Sequence, residues 1–383
     1  MFKIFVLLFS FLFFIFHFSD SSYAIYDPRS EKNNTFGVHI LFTEELNEAA
    51  NLINSNNGDW GYVTIPIQSP DKNLAKWQKF MDTARDLHII PILRLATNAD
   101  YFDTKVWEKP KYSDILDFAN FLNSLTWPTR NRYIIVFNEV NRGDEWGGSP
   151  DPSEYADFLN FAVDTFKSKN DSFFLISAGL DNAAPNKGNM YMDEYSFMIL
   201  MNSAIPGIFN KIDGLASHSY PNPGFSQSPN LMTPKSIHSF KYESNLAQRL
   251  GAKNLPVFIT ETGWSKEAVP DTRIASYYKE AFKSVWSDGN IVAVTPFLLR
   301  AGVLPFSNFS LILGSKIGPE YRSIEEIAKT KGEPKVTPRL LGQAGPLGSV
   351  PEKNFSKTVI NDSSNKLALV KATKTLFKWL LNI

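Results

Sequence analysis

The chain has 383 residues, 43% hydrophobic, 14% aromatic and 20% charged, with 39 Lys plus Arg against 39 Asp plus Glu and no cysteine. Without cysteine there is no disulfide framework, no thiolate zinc site and no thiol nucleophile. A net charge of +0 gives no general attraction for nucleic acid or another polyanion. The length fits one large α/β barrel or two ordinary domains, and the apolar share is too high for a disordered chain.

The first element is a leader. Lys3 precedes an apolar run from Ile4 to Phe18, and a polar stretch ends in Ser22-Tyr23-Ala24. Small residues at −3 and −1 of a cut after Ala24 fit a secretory signal peptide over residues 1–24, and the run is short for a membrane span. The expectation is a secreted or cell-envelope protein, with an uncleaved membrane anchor as the alternative. Removing the leader takes away one charge of each sign, Lys3 and Asp20, so the remainder stays neutral.

Eight apolar runs follow, rich in β-branched and aromatic residues. They begin near Phe36, Trp60, Ile89, Tyr133, Phe173, Ile212, Leu255 and Ile291. Such runs without polar alternation predict strands buried on both faces, as in a parallel sheet. Their starts lie roughly 36 residues apart, room for a strand, two loops and a helix. Amphipathic stripes predict helices over 72–87, 112–125, 151–169, 235–250 and 272–287. In the third of these Asp151 can cap, Pro152 stands at the first helical position and Glu154 can complete a capping box. The fold class predicted is an α/β (β/α)8 barrel over residues 25–343, with two doubly wound domains as the alternative. A Gly/Pro/Ser/Asn linker and an apolar stretch with Lys366, Lys371, Lys374 and Lys378 occupy 344–383. That stretch reads as a C-terminal amphipathic helix, docked on its own domain or resting on a membrane surface or partner.

In a barrel the residues at strand C-termini build the active site. Here these are His39, Arg94, Asn138, Glu139, Asp181, His218, Tyr220, Glu261 and Trp264. Glu139 on the fourth strand and Glu261 on the seventh face across the barrel mouth. Two such carboxyls can divide acid and nucleophile roles when their surroundings differ. A separation of about 5–5.5 Å suits retaining glycoside hydrolysis and about 6.5–9.5 Å suits inverting hydrolysis.

The segments FNEVN (137–141), SHSY (217–220) and ITETGW (259–264) resemble the signature of clan A glycoside hydrolases, the retaining (β/α)8 group. The resemblance spans about Phe36 to Lys335 and lies near families 5 and 39 or a bacterial relative of them. It implies Glu139 as general acid/base, Glu261 as nucleophile and Asn138 as the partner of the sugar 2-hydroxyl. It further implies that Tyr220 and Arg94 orient Glu261, and that His218 holds the acid/base or a substrate hydroxyl. Trp264 and Trp146 are candidates for stacking on a sugar face. His39 reads as a buried, hydrogen-bonded histidine or a substrate ligand, while Trp127 and Trp286 read as packing.

Two departures from the family pattern stand out. Where an Arg is common after the second strand the chain has TIPIQ (64–68), leaving Arg94 as the candidate in its place. Where a Trp commonly ends strand eight the chain has TPFLLRAG (295–302), with Phe297 the nearest aromatic.

No metal site is expected, because no His-x-His follows strand one and no His-Glu-x-x-His helix occurs. No G-x-S-x-G elbow or Gly-rich phosphate loop occurs either, so neither a serine hydrolase nor a nucleotide cofactor is expected. The expected function is hydrolysis of a β-linked oligo- or polysaccharide without a cofactor, and the alternative is a catalytically silent carbohydrate-binding barrel. The loop YPNPGFSQSPN (220–230) is expected to wall an open cleft.

Overall fold

The computed structural model describes residues 24–101 and 104–338. Residues 1–23 of the leader and the tail from 344 onward, with its amphipathic helix, lie outside the described residues. Among those described, eight parallel strands form a ring: β1 (Gly37–His39), β2 (Gly61–Gln68), β3 (Ile89–Ala96), β4 (Arg132–Ile135), β5 (Phe173–Ile176), β6 (Leu215–His218), β7 (Val257–Glu261) and β8 (Ile291–Val294). Strands β1–β5 form one ladder and β6–β8 a second. Single parallel bridges at Ile176–Gly214 and Phe36–Val294 join them at both seams. Strand starts read from the sequence agree within three residues, the largest difference being Ile212 against Leu215.

A helix follows every strand: α1 (Leu46–Ile53), α2 (Leu74–Asp86), α3 (Tyr112–Ser124), α4 (Pro152–Lys169), α5 (Glu194–Ala204) with the one-turn α6 (Ile208–Lys211), α7 (Ser239–Arg249), α8 (Asp271–Glu280) and α9 (Pro319–Glu326). The five helices predicted correspond to α2, α3, α4, α7 and α8. Asp151 caps α4 by accepting from the amides of Ser153 and Glu154 at 3.1 and 3.0 Å. Glu154 does not complete the box. Its carboxylate instead accepts from Trp146 Nε1 at 2.9 Å and Lys109 Nζ at 2.6 Å, tying the β4 loop to the helix start.

The strands are buried on both faces, and period-two alternation sorts their side chains. Tyr62, Ile90, Ile92, Tyr133, Phe174 and Phe258 point inward and fill the barrel. Their rings meet at centroid distances of 5.0 to 6.2 Å. One layer further along, the same alternation brings up polar groups: Thr64 after Tyr62, Arg94 after Ile92, His218 after Ala216. An aromatic plug therefore carries a polar floor.

Outside β6 lies a second polar group of side chains. Ser217 donates to Glu243 of α7 at 2.9 Å, and Ser217 and Ser219 hydroxyls meet at 2.7 Å. Burial pushes the Glu243 carboxyl up to about 7, and burial together with the Glu243 charge raises Glu194 of α5. The folded chain thus keeps protons that the unfolded chain releases, so these groups stabilise at low pH and the effect is lost as pH rises through about 7. Thermal unfolding should show a midpoint that falls between about pH 5 and pH 8. The Glu243→Gln variant should flatten that fall, by roughly 3 kcal/mol over the interval. An unchanged pH slope in the variant would contradict this assignment.

Candidate active site

The polar floor is shaped by local departures from regular strand. After β4 ends at Ile135, Phe137 and Glu139 adopt left-handed φ values of 69° and 36°. Non-glycine residues rarely hold this conformation, and such strain concentrates where side chains must be aimed. The Glu139 amide donates to Gly179 O at 3.0 Å, which fixes the turn. Between Ser217 and His218 the β6–β7 register shifts, so that His218 pairs with Glu261. The shift sets both side chains on the inner face.

Glu261 sits between donors. Its Oε1 accepts from Arg94 Nη1 at 2.9 Å and its Oε2 from Tyr220 Oη at 3.1 Å. Arg94 also bonds Asn138 Oδ1 through the same nitrogen. Across the mouth, Glu139 Oε1 lies 2.9 Å from His218 Nδ1, and its Oε2 lies 3.5 Å from Arg142 Nη1. His218 Nδ1 is also 3.8 Å from Glu261 Oε2, so the imidazole stands between the two carboxyls. One oxygen of Glu139 and one of Glu261 come within 4.8 Å of each other. Arg94 comes from β3, with Pro66 of β2 beside it in register. It makes the contact to Glu261 that TIPIQ cannot.

The electrostatics follow from this arrangement. Burial lowers the pKa of His218, but the Glu261 charge and the bond to Glu139 outweigh it and hold the ring above its ordinary value. Burial, then the Glu261 charge, raises the Tyr220 phenol well above its usual range, so it remains a donor. Burial opposes the charge of Arg142, yet Glu139, Asp144 and Asp181 together keep it firmly protonated. Glu139, His218 and Glu261 could offer three ligand atoms to a metal. Those atoms already face Arg94, Tyr220 and Arg142, and two guanidinium charges beside the trio do not suit a cation.

These residues border a cleft of about 280 Å³. Arg94, Asn138, Glu139, Asp181, Tyr220, Glu261 and Phe297 line it, as expected from the sequence, and Phe225 places the 220–230 loop in its wall. Three expectations are corrected. Trp264 is 1% exposed, packs on Tyr277, Tyr278 and Trp286, and donates to Gln227 O, so no sugar can stack on it. Trp146 borders the cleft but is likewise 1% exposed, its ring edge-on to Phe137, Tyr155 and Phe158, so it anchors the β4 loop and offers no face for stacking. His39 is 0% exposed and lies 3.6 Å behind Glu261 Oε1, out of the cleft. Neither of its ring nitrogens has a hydrogen-bond partner. Burial and the Arg94 charge keep it neutral. Trp127 and Trp286 are core residues.

Sequence reasoning missed Arg142 and the parts of the wall that come from the β3 and β8 loops. Half-buried Tyr101 and Trp107 stand on the β3 loop with ring centroids 5.8 Å apart, and Phe306 and Phe309 stand on the β8 loop. Arg142 had a signal, its place three residues after Glu139. The wall aromatics lie in loops of no regular period.

Gly179 makes a close approach that His218 requires. A Cβ there would stand 2.2 Å from His218 Cδ2 and 2.5 Å from its Nε2. Gly179→Ala should therefore push the imidazole off Glu139. The expected result is a loss of kcat/KM of about 10- to 100-fold, with a modest fall in thermal midpoint. Unchanged kinetics would show that His218 does not position the Glu139 carboxyl.

The strand ring with a helix after each strand is similar to solved structures. A family 39 glycoside hydrolase from Bacteroides cellulosilyticus WH2 is similar at TM-score 0.51 and 18% identity, over 79% of this chain and 64% of its own. The chain thus spans less than two thirds of that relative. What the chain shares with these glycoside hydrolase structures is the fold, an α/β barrel. A family 39 β-xylosidase from Caulobacter crescentus aligns at TM-score 0.55 and 13% identity, over 76% of this chain and 70% of its own. A family 5, subfamily 18 protein from Streptomyces cattleya, in complex with GlcNAc, aligns at 0.53 and 16%, over 77% and 80%. No protein-family model and no curated protein sequence matches the chain.

Proposed function

We propose that the protein is an exported retaining glycoside hydrolase that cleaves the O-glycosidic bonds of a β-linked oligo- or polysaccharide by two-glutamate double displacement. The observation that carries this reading is the approach of Glu139 and Glu261 oxygens to within 4.8 Å inside an open cleft. Oxygens this near favour the shorter carboxyl separation of retaining enzymes over the wider one of inverting enzymes. Export rests on the leader sequence.

In the first step Glu261 attacks the anomeric carbon while Glu139 gives its proton to the departing glycosidic oxygen, and the C1–O bond breaks. In the second, Glu139 takes a proton from water, the water oxygen attacks C1, and the Glu261 carboxylate leaves. Arg94 and Tyr220 hold the two Glu261 oxygens ready for in-line attack and stabilise the carboxylate on release. His218 fixes the Glu139 carboxyl. With Asn138 Oδ1 turned to Arg94, the amide nitrogen is left for the sugar 2-hydroxyl.

The test is a panel of aryl β-glycosides and β-linked oligosaccharides, followed by NMR of the first product released. The β-anomer should appear first, and the α-anomer first would overturn retention. No turnover on any member, with binding that survives both Glu139→Gln and Glu261→Gln, would make the protein a silent carbohydrate-binding barrel.

A further inference from the structure

The mouth of the barrel is chemically divided. Around Glu139 stand Arg142, Glu145 and Asp181, all polar. Around Glu261 the wall is apolar: Leu41, Phe225, Phe297, Pro305, Phe306 and Phe309. These are joined through Tyr220, whose ring is 5.1 Å from Phe225, which in turn is 5.1 Å from Phe309. Phe297 closes the set, 5.6 Å from Phe306 and 6.2 Å from Phe309. None of the six side chains carries a hydrogen-bonding atom. Three of the six backbone carbonyls already accept an amide: Phe225 O that of Ser265, Pro305 O that of Asn308 and Phe306 O that of Phe309.

The reaction fixes which edge of a sugar meets this wall. The anomeric carbon must stand over Glu261, and its ring neighbours C2 and O5 lie on opposite sides of it. If the 2-hydroxyl faces Asn138 on the β4 side, then O5, C5 and the C5 substituent face away from β3 and β4. That direction leads to the β6 and β8 loops and their phenyl groups. A hydroxymethyl group there would surrender water and gain no side-chain partner from these six residues, a costly exchange. A methyl group would fill the same space with apolar contact.

We infer that the glycone subsite selects a 6-deoxyhexopyranose, a sugar with methyl in place of hydroxymethyl at C5. This inference rests on the reading of Glu261 as nucleophile and Asn138 as the partner of the 2-hydroxyl. Phe225, Phe306 and Phe309 are then specificity-determining residues, and Phe297, standing where a Trp with an indole N–H is common, belongs with them.

The experiment uses the full chain and matched aryl glycosides that differ only at C5. In the galacto series these are β-D-fucoside (methyl), β-D-galactoside (hydroxymethyl) and α-L-arabinopyranoside (hydrogen), with the corresponding gluco and manno sets. Both kcat/KM of the wild type and affinity for the Glu261→Gln variant are measured. In the series that fits, the methyl member should exceed the hydroxymethyl member about tenfold or more in both, with the hydrogen member between them. Phe309→Asn, and separately Phe225→Ser, should shrink that ratio. A hydroxymethyl or hydrogen preference, a ratio near one, or no binding in every series overturns the inference. Turnover with retention but no methyl preference would overturn it while leaving the hydrolase reading intact. A methyl preference in binding with no turnover would do the reverse.

Discussion

Glu261→Gln should lower kcat/KM by roughly 10⁴-fold or more while the protein still folds and still binds its glycoside. The substitution keeps the side-chain shape but removes the only oxygen pair that can form the glycosyl–enzyme bond. Glu261 accepts from Arg94 with one oxygen and from Tyr220 with the other. With the amide oxygen toward Arg94, the amide NH2 meets Tyr220, whose hydroxyl must turn from donor to acceptor and give up its bond to a charged oxygen. The variant is therefore expected to lose some stability as well, on the order of 1–3 kcal/mol. The check is steady-state kinetics beside a binding titration. Loss of rate with retained binding is the expected pattern, and near-normal turnover would remove Glu261 from the mechanism.

Glu139→Ala carries the second large effect, and its signature is selectivity between leaving groups. A proton donor matters when the departing oxygen is basic. For an alkyl glycoside or a second sugar the loss should reach about 10²- to 10⁴-fold. For an activated aryl glycoside whose phenolate leaves unaided, the first step should proceed almost normally and the glycosyl-enzyme should accumulate, because no base remains to activate water. Azide, which needs no deprotonation, should then restore turnover and yield a β-glycosyl azide. Equal losses for both leaving-group classes, with no azide effect, would assign Glu139 a positioning role instead.

Much of this arrangement is legible in the sequence for a definite reason. Continuous apolar runs such as FFLI and VFIT, spaced by amphipathic stripes, leave a parallel barrel as the natural packing. Barrel order then brings together the C-terminal ends of β4 and β7, and with them Glu139 and Glu261. Arg94 was visible as the polar third member of the inward set after Ile90 and Ile92. What the sequence did not show depends on contacts between distant loops. α5 is apolar around most of its surface and α6 is a single turn, so neither carries a clear stripe. Trp146 and Trp264 look like sugar platforms because they stand beside the catalytic segments, but each finds an acceptor and aromatic neighbours below the surface. The aromatics that do face the cleft, Trp107 and Phe309 among them, sit in irregular loops far from either glutamate in sequence.

Arg142 shows how the two levels join. Its i+3 position relative to Glu139 is local, but its charge is held by Asp144 at 2.7 Å and Asp181 at 3.3 Å, the latter arriving from the β5 loop. The Glu139 carboxyl is thus framed by one local and one distant constraint, His218 supplying the second at 2.9 Å.

The central claim is that Glu261 becomes covalently bonded to the sugar. A 2-deoxy-2-fluoro-β-glycoside with an activated leaving group, chosen from the glycone that turns over best, slows both steps but the second more. Mass spectrometry of the inactivated protein should show one added fluoroglycosyl group, located on the peptide that contains Glu261. A label on Glu139, or on any residue other than Glu261, would contradict the account.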